Sequence, residues 1–136
     1  MTRRLLAILA LALAQPAFAQ TAAMNPAQAI AAAAASGEVE GVFEFQVGST
    51  GASGFKVFLN SSADYRDPTN LSVELQPGAI NELRTRLGGH PEELLKGKRV
   101  RVQGKARRVP IPRRDGSQYF QTRVEVDQGS QIDILG

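Results

Sequence analysis

The residues that could do chemistry in this chain are concentrated near its C-terminal end. Between Lys96 and Arg123 there are ten basic residues against a single acid, Asp115. On an extended strand successive side chains alternate between faces. With Val100 and Val102 turned inward, Arg99, Arg101, Gln103, Lys105 and Arg107 share the outer face. Further on, Phe120 and Val124 are expected in the core, which turns Tyr119, Gln121 and Arg123 outward. A row of cations follows a phosphate or carboxylate backbone, and an exposed ring gives a base a surface to stack on. The candidate polyanion-binding set is therefore Lys98, Arg99, Arg101, Lys105, Arg107 and Arg123 as cations, with Tyr119 as the stacking ring. The competing reading is a solvated strand, because edge strands carry Lys and Arg against aggregation.

Other chemistries have less footing. Asp64-Tyr65-Arg66-Asp67, with Asn60 nearby, offers oxygen ligands to a cation such as Ca²⁺. It lacks an alternating acidic spacing and a following bidentate Glu. The preferred reading is a turn whose acids cap backbone donors ahead of Pro68. His90 is the single histidine, and there is no cysteine. Disulfides, thiolate metal sites and a Cys nucleophile are excluded. No nucleophile elbow, phosphate-cradling Gly loop or metal-ligand spacing is present. The expectation is a protein that is not an enzyme, with no catalytic residues, no metal and no cofactor. A degenerate nuclease is the nearest enzymatic alternative. Two Asn-x-Ser triplets, at Asn60 and Asn70, are expected to carry no glycan, since the leader has a bacterial character.

That leader comes first in the chain. Met1–Arg4 is positively charged, Leu5–Ala14 is an unbroken apolar run, and Ala17-Phe18-Ala19 offers small residues for cleavage before Gln20. This is the pattern of a secretory signal, residues 1–19, with general secretion preferred over the twin-arginine route. The apolar run falls short of the roughly 20 residues a membrane span needs, so no span is expected after cleavage. Residues 20–36 are an Ala-rich leader, partly helical or disordered: Pro26 could open a helix that Gly37 ends. An almost pure Ala face buries little area, so this segment is expected to be frayed and poorly packed.

From residue 37 to 136 the sequence reads as one mostly β domain. Val39, Gly41, Phe43, Phe45 and Val47 alternate with polar residues, as do Phe55, Val57 and Leu59, with Lys56, Phe58 and Asn60 opposite. Gly48–Gly54 is expected to be a flexible turn. Leu71, Val73 and Leu75 make a further strand. Ile80, Leu83 and Leu87 then take helical spacing, closed by Gly88-Gly89. Pro91–Leu95 adds one more helical turn. Strand alternation resumes at Val100, with Gly104 as an expected bulge, and a turn at Asp115-Gly116 leads to Phe120–Val126. A short closing strand holds Ile132 and Ile134.

Three strands, a helix and two strands is the order of a five-stranded Greek-key OB-type barrel, with one short helix between the third and fourth strands. Phe58-Leu59-Asn60, the Asp64–Asp67 loop, Leu71-Ser72-Val73, the block Leu95–Gly104 and Gln131-Ile132-Asp133-Ile134 carry a resemblance. Over about Gly37–Leu135 the chain resembles a bacterial family of exported or nuclease-associated OB-fold domains, described as nucleic-acid-binding-like or tRNA-anticodon-binding-like. The resemblance implies the barrel and leaves its ligand open.

Charge is strongly segregated. Without Arg3 and Arg4 the mature chain carries 14 basic and 13 acidic residues. Glu38–Glu93 has a net charge of −5 and Lys96–Arg123 one of +9. Two functions fit. The first is a periplasmic or secreted binding module for an anionic polymer, single-stranded nucleic acid or else an acidic polysaccharide. The second is a structural or protein-interaction domain whose basic strand meets an acidic protein partner, or the acidic segment of another copy.

Overall fold

The computed structural model describes residues 22–136, so the signal expected at residues 1–19 lies outside the described residues. The first element is helix α1, Pro26–Ser36. Asn25 caps it by accepting from the Gln28 backbone N–H at 2.8 Å, while the Gln28 side chain accepts from Asn25 N–H at 2.9 Å. Gly37, at φ +88°, ends it. The expectation of a frayed leader does not hold: Ala29 and Ala33 are fully buried. Small side chains bury little area each, but they let the helix backbone approach the sheet closely. Met24 completes the docking by bridging to Phe43, and a Cβ at Gly41 would meet the Met24 Cε at 3.0 Å.

The strands are β1 (Glu38–Gln46), β2 (Ser49–Ser53), β3 (Lys56–Asn60), β4 (Leu71–Leu75), β5 (Arg99–Pro112), β6 (Gln118–Val126) and β7 (Ile132–Ile134). Helix α2 spans Pro77–Leu87 and α3 spans Pro91–Leu94. The strands form one sheet in the order β1-β5-β6-β4-β3-β2, with β7 paired to β5. All pairs are antiparallel except β4 with β6.

The expected closed five-stranded barrel is therefore corrected to an open, mixed, seven-stranded sheet. Mainly β holds, and so does the helix after the Leu71–Leu75 strand. The physical reason lies at Val47-Gly48. Val47 N–H donates to the Lys98 carbonyl, on the β5 side, and Gly48 N–H donates to the Asn60 carbonyl, on the β3 side, both at 2.8 Å. A Cβ at Gly48 would lie 2.8 Å from the Ser61 carbonyl oxygen, so only glycine makes this hand-over without a clash. Beyond it, Ser49–Ser53 pairs with β3 as a strand in its own right, where a flexible turn was expected. β1 and β2 thus end at opposite extremes of the ladder, and no pairing joins them.

Inward faces carry the core: Phe43, Phe45, Leu59, Leu71, Val73, Leu75, Val100, Val102, Val124 and Ile132 are buried, with Leu83 of α2 against them. Each large side chain so buried stabilises by about 1.5–3 kcal/mol. Gly104 is no bulge. It sits opposite Gly41 in an unbroken register, and a Cβ there would meet Val124 Cγ1 at 2.9 Å. Phe120, expected inside, is 44% exposed, and Phe55, in the turn between β2 and β3, is 88% exposed.

Candidate ligand-binding groove

The outer face of a sheet normally carries solvated polar side chains. Here part of that face is concave and buries them. In register across β3, β4 and β6 stand Asn60, Ser72 and Arg123, with Gln121 beside them. Asn60 and Ser72 are 4% and 3% exposed, and Gln121 is buried too. They form the floor of a cavity of about 590 Å³ bounded by β2, the loop after β3 and the end of the β5–β6 hairpin. That volume lies in the range of small-molecule sites.

Three aromatic rings wall the cavity, and each carries a guanidinium. Arg123 lies over Phe58 at 5.5 Å, Arg66 over Tyr65 at 5.6 Å and Arg113 over Tyr119 at 4.7 Å. Such stacks hold the cations against the rings that line the cavity. Arg123 is further fixed by donating from Nε to Gln121 Oε1 at 2.9 Å and from Nη1 to Glu74 Oε2 at 3.4 Å. Glu74 is itself buried and also accepts from Lys56 Nζ at 3.4 Å and Gln76 Nε2 at 2.8 Å. A second depression of about 530 Å³, past Phe58 and Arg123, is lined by Phe55, Lys56 and Gln76 and continues the groove across the sheet.

The loop that holds Tyr65 is built by its own acids. Asp64 accepts from the Arg66 backbone N–H at 2.9 Å, and Asp67 accepts from that of Thr69 at 2.9 Å. These bonds hold both carboxyls below the ordinary Asp range. Both Asp residues thus serve the turn.

The candidate residues read from sequence divide into two groups. Tyr119 and Arg123 are brought together in the groove. Arg99 and Arg101 instead share Glu44, at 3.1 Å each, and Lys105 and Arg107 share Glu38, at 3.3 and 3.6 Å. The β1–β5 register dictates this, placing Glu44 opposite Arg101 and Glu38 opposite Arg107. Hydrogen bonds from Arg99, then Arg101, lower the Glu44 pKa. Lys98 is exposed in the turn before β5. Arg107 is the direct cross-strand neighbour of Arg123, at the groove's margin.

Sequence reasoning missed Phe58, Asn60, Ser72 and Gln121 as groove residues. The signal was a bulky Phe and an Asn on the supposedly solvated face of one strand. No protein-family model matches the chain, and no curated protein matches it.

Proposed function

We propose that this chain is a non-enzymatic binding module of the periplasm or cell exterior whose groove takes single-stranded nucleic acid. The observation that carries this reading is the set of three Arg-bearing rings, Phe58, Tyr65 and Tyr119, around one cavity. Stacking suits planar bases, and the guanidiniums beside the rings suit the phosphates between them. The continuation of the cavity past Phe58 toward Phe55 and Lys56 supports a polymer rather than a single small molecule. An acidic polysaccharide satisfies the cations but makes less use of three rings.

Salt dependence separates this groove from the basic strand. Neutralising Z phosphates of a single strand gives a slope of about −0.7Z in log affinity against log salt. The three cations stacked on the groove rings, Arg66, Arg113 and Arg123, give a slope of about −2, whereas contact through the six cations read from the sequence gives about −4. Titration of fluorescent oligo-dT at several salt concentrations should give the shallow slope. Tyr119→Ala or Arg123→Ala should weaken binding by about tenfold, as expected for losing one stacked base or one phosphate contact. Arg101→Ala should change it little, since Arg101 stands opposite Glu44 on the β1–β5 ladder and does not line the groove. Absence of binding at low salt overturns the reading.

A further inference from the structure

The floor of the groove has a hydrogen-bonding polarity that its own network sets. Asn60 Oδ1 already accepts from Ser72 Oγ at 2.8 Å and from Asn70 Nδ2 at 3.4 Å. That fixes the orientation of the amide, so Asn60 offers the cavity its Nδ2, which donates to no protein atom among the described residues. Gln121 uses Oε1 on Arg123 and donates from Nε2 to the Tyr119 hydroxyl at 3.4 Å. With a lone pair of that hydroxyl taken, its proton is free to point outward. Arg123 spends Nε and Nη1 within the protein and keeps Nη2. Ser72 gives its proton to Asn60. The floor therefore offers three free donors, Asn60 Nδ2, Tyr119 Oη and Arg123 Nη2, against the acceptor lone pairs of Ser72 Oγ.

We infer that the groove selects keto bases, thymine and uracil, over the amino base cytosine. This rests on the single-strand reading above. Thymine presents carbonyl oxygens, O4 among them, where cytosine carries the N4 amino donor. A carbonyl facing Asn60 Nδ2 or Arg123 Nη2 gains a hydrogen bond. An amino group there sets donor against donor in a floor where Asn60 is 4% exposed, leaving both groups unsatisfied. The two pyrimidines are alike in size, so stacking on Phe58 and the two Tyr rings discriminates between them much less. Thymine and uracil differ by a methyl that no floor donor addresses, and both should bind alike.

The test compares labelled oligo-dT, oligo-dU and oligo-dC on the full chain by fluorescence anisotropy at low salt. The expected result is dT and dU bound equally, each about tenfold tighter than dC. Strand flexibility also differs between these polymers, so two variants assign the preference to the floor. Asn60→Asp keeps an oxygen for Ser72 and Asn70 but turns the free donor into an acceptor, and should reduce the dT:dC ratio to near one or invert it. Tyr119→Phe removes one donor, and with it the acceptor of the long Gln121 Nε2 bond, but leaves the Asn60–Ser72–Asn70 network in place; it should reduce the ratio about threefold while leaving the fold intact. Equal affinity of the unaltered protein for dT and dC, with binding present, overturns the inference and spares the single-strand reading. A dT:dC ratio unmoved in Tyr119→Phe overturns it as well. Absence of binding to every oligonucleotide overturns both.

Discussion

Asn70 shows how single buried amides tie the fold to the groove. It is 3% exposed and accepts from Ser62 N–H at 3.0 Å, while its Nδ2 reaches Asn60 Oδ1 at 3.4 Å and the Tyr65 carbonyl at 3.3 Å. One side chain thus pins both ends of the Tyr65 loop and orients the Asn60 amide. Asn70→Ala leaves the Ser62 donor and the Tyr65 carbonyl without this partner. It should cost about 1–3 kcal/mol in urea unfolding. Its effect on oligonucleotide affinity should exceed that of an equally destabilising core change, because Tyr65 loses its anchor. Equal affinities in the two variants would mean that the loop does not need Asn70. At this scale the sequence shows that Tyr119 and Arg123 face outward, because alternation along one strand is a local property. The company they keep was not legible. Asn60, Ser72 and Arg123 come together through the parallel β4–β6 pairing, and nothing local encodes that pairing.

Among the elements, the β1–β5 ladder decides what the basic strand can do. Glu38 and Glu44 stand in register with cations, so β5 spends four of its charges inside the molecule. Exposed pairs of this kind add little stability each, and less at high salt. Their pH dependence has a definite sign. A carboxyl whose folded pKa lies below its unfolded value stabilises the fold above the unfolded pKa, and this contribution is lost as pH falls through the folded pKa. Glu44, Asp64, Asp67 and Asp115 are all shifted down. The melting temperature should therefore fall as pH drops from neutral through and below the carboxylate range. Glu44→Gln should flatten part of that fall at low salt, and a thermal-melt series of both proteins over this pH range would show whether it does. Strand periodicity located β1, β3, β4, β5 and β6 from sequence, because each has a buried apolar face. It missed β2, since Ser49–Ser53 has no apolar alternation and is held by its pairing to β3. The failed barrel closure has the same origin: Val47-Gly48 reads as the end of a strand, yet there the chain changes partner.

For the whole molecule, segregated charge in a sequence does not mean segregated charge on a surface. The first strand of the −5 segment, β1, lies beside the first strand of the +9 segment, β5, and Glu38, Glu40 and Glu44 stand in register with Arg107, Lys105 and Arg101 across that ladder. Head-to-tail pairing of copies through β1 and β5 would have to break Glu38 and Glu44 away from their present partners. It would exchange one set of exposed ion pairs for another of similar worth, while also costing the entropy of association. The folded chain should therefore be monomeric, and light scattering at low and high salt should give one unchanging mass. A dimer that dissolves with salt would show instead that the ladder is labile enough to be shared between copies, favouring the acidic-partner function. The same preparation tests export. The positively charged Met1–Arg4, the apolar run after it and the Ala17-Phe18-Ala19 site support removal of residues 1–19 on passage to the periplasm. Protein recovered from a periplasmic extract should then have the mass of a chain beginning at Gln20. Cleavage there leaves Asn25, which caps α1, only a few residues from the new terminus. Cleavage beyond Asn25 would remove the cap and the Met24 bridge to Phe43, and would loosen α1 from the core. Any mature start before Met24 keeps the cap and the bridge, whereas one starting within Pro26–Ser36 would contradict the packing of α1 and the expected cleavage site alike.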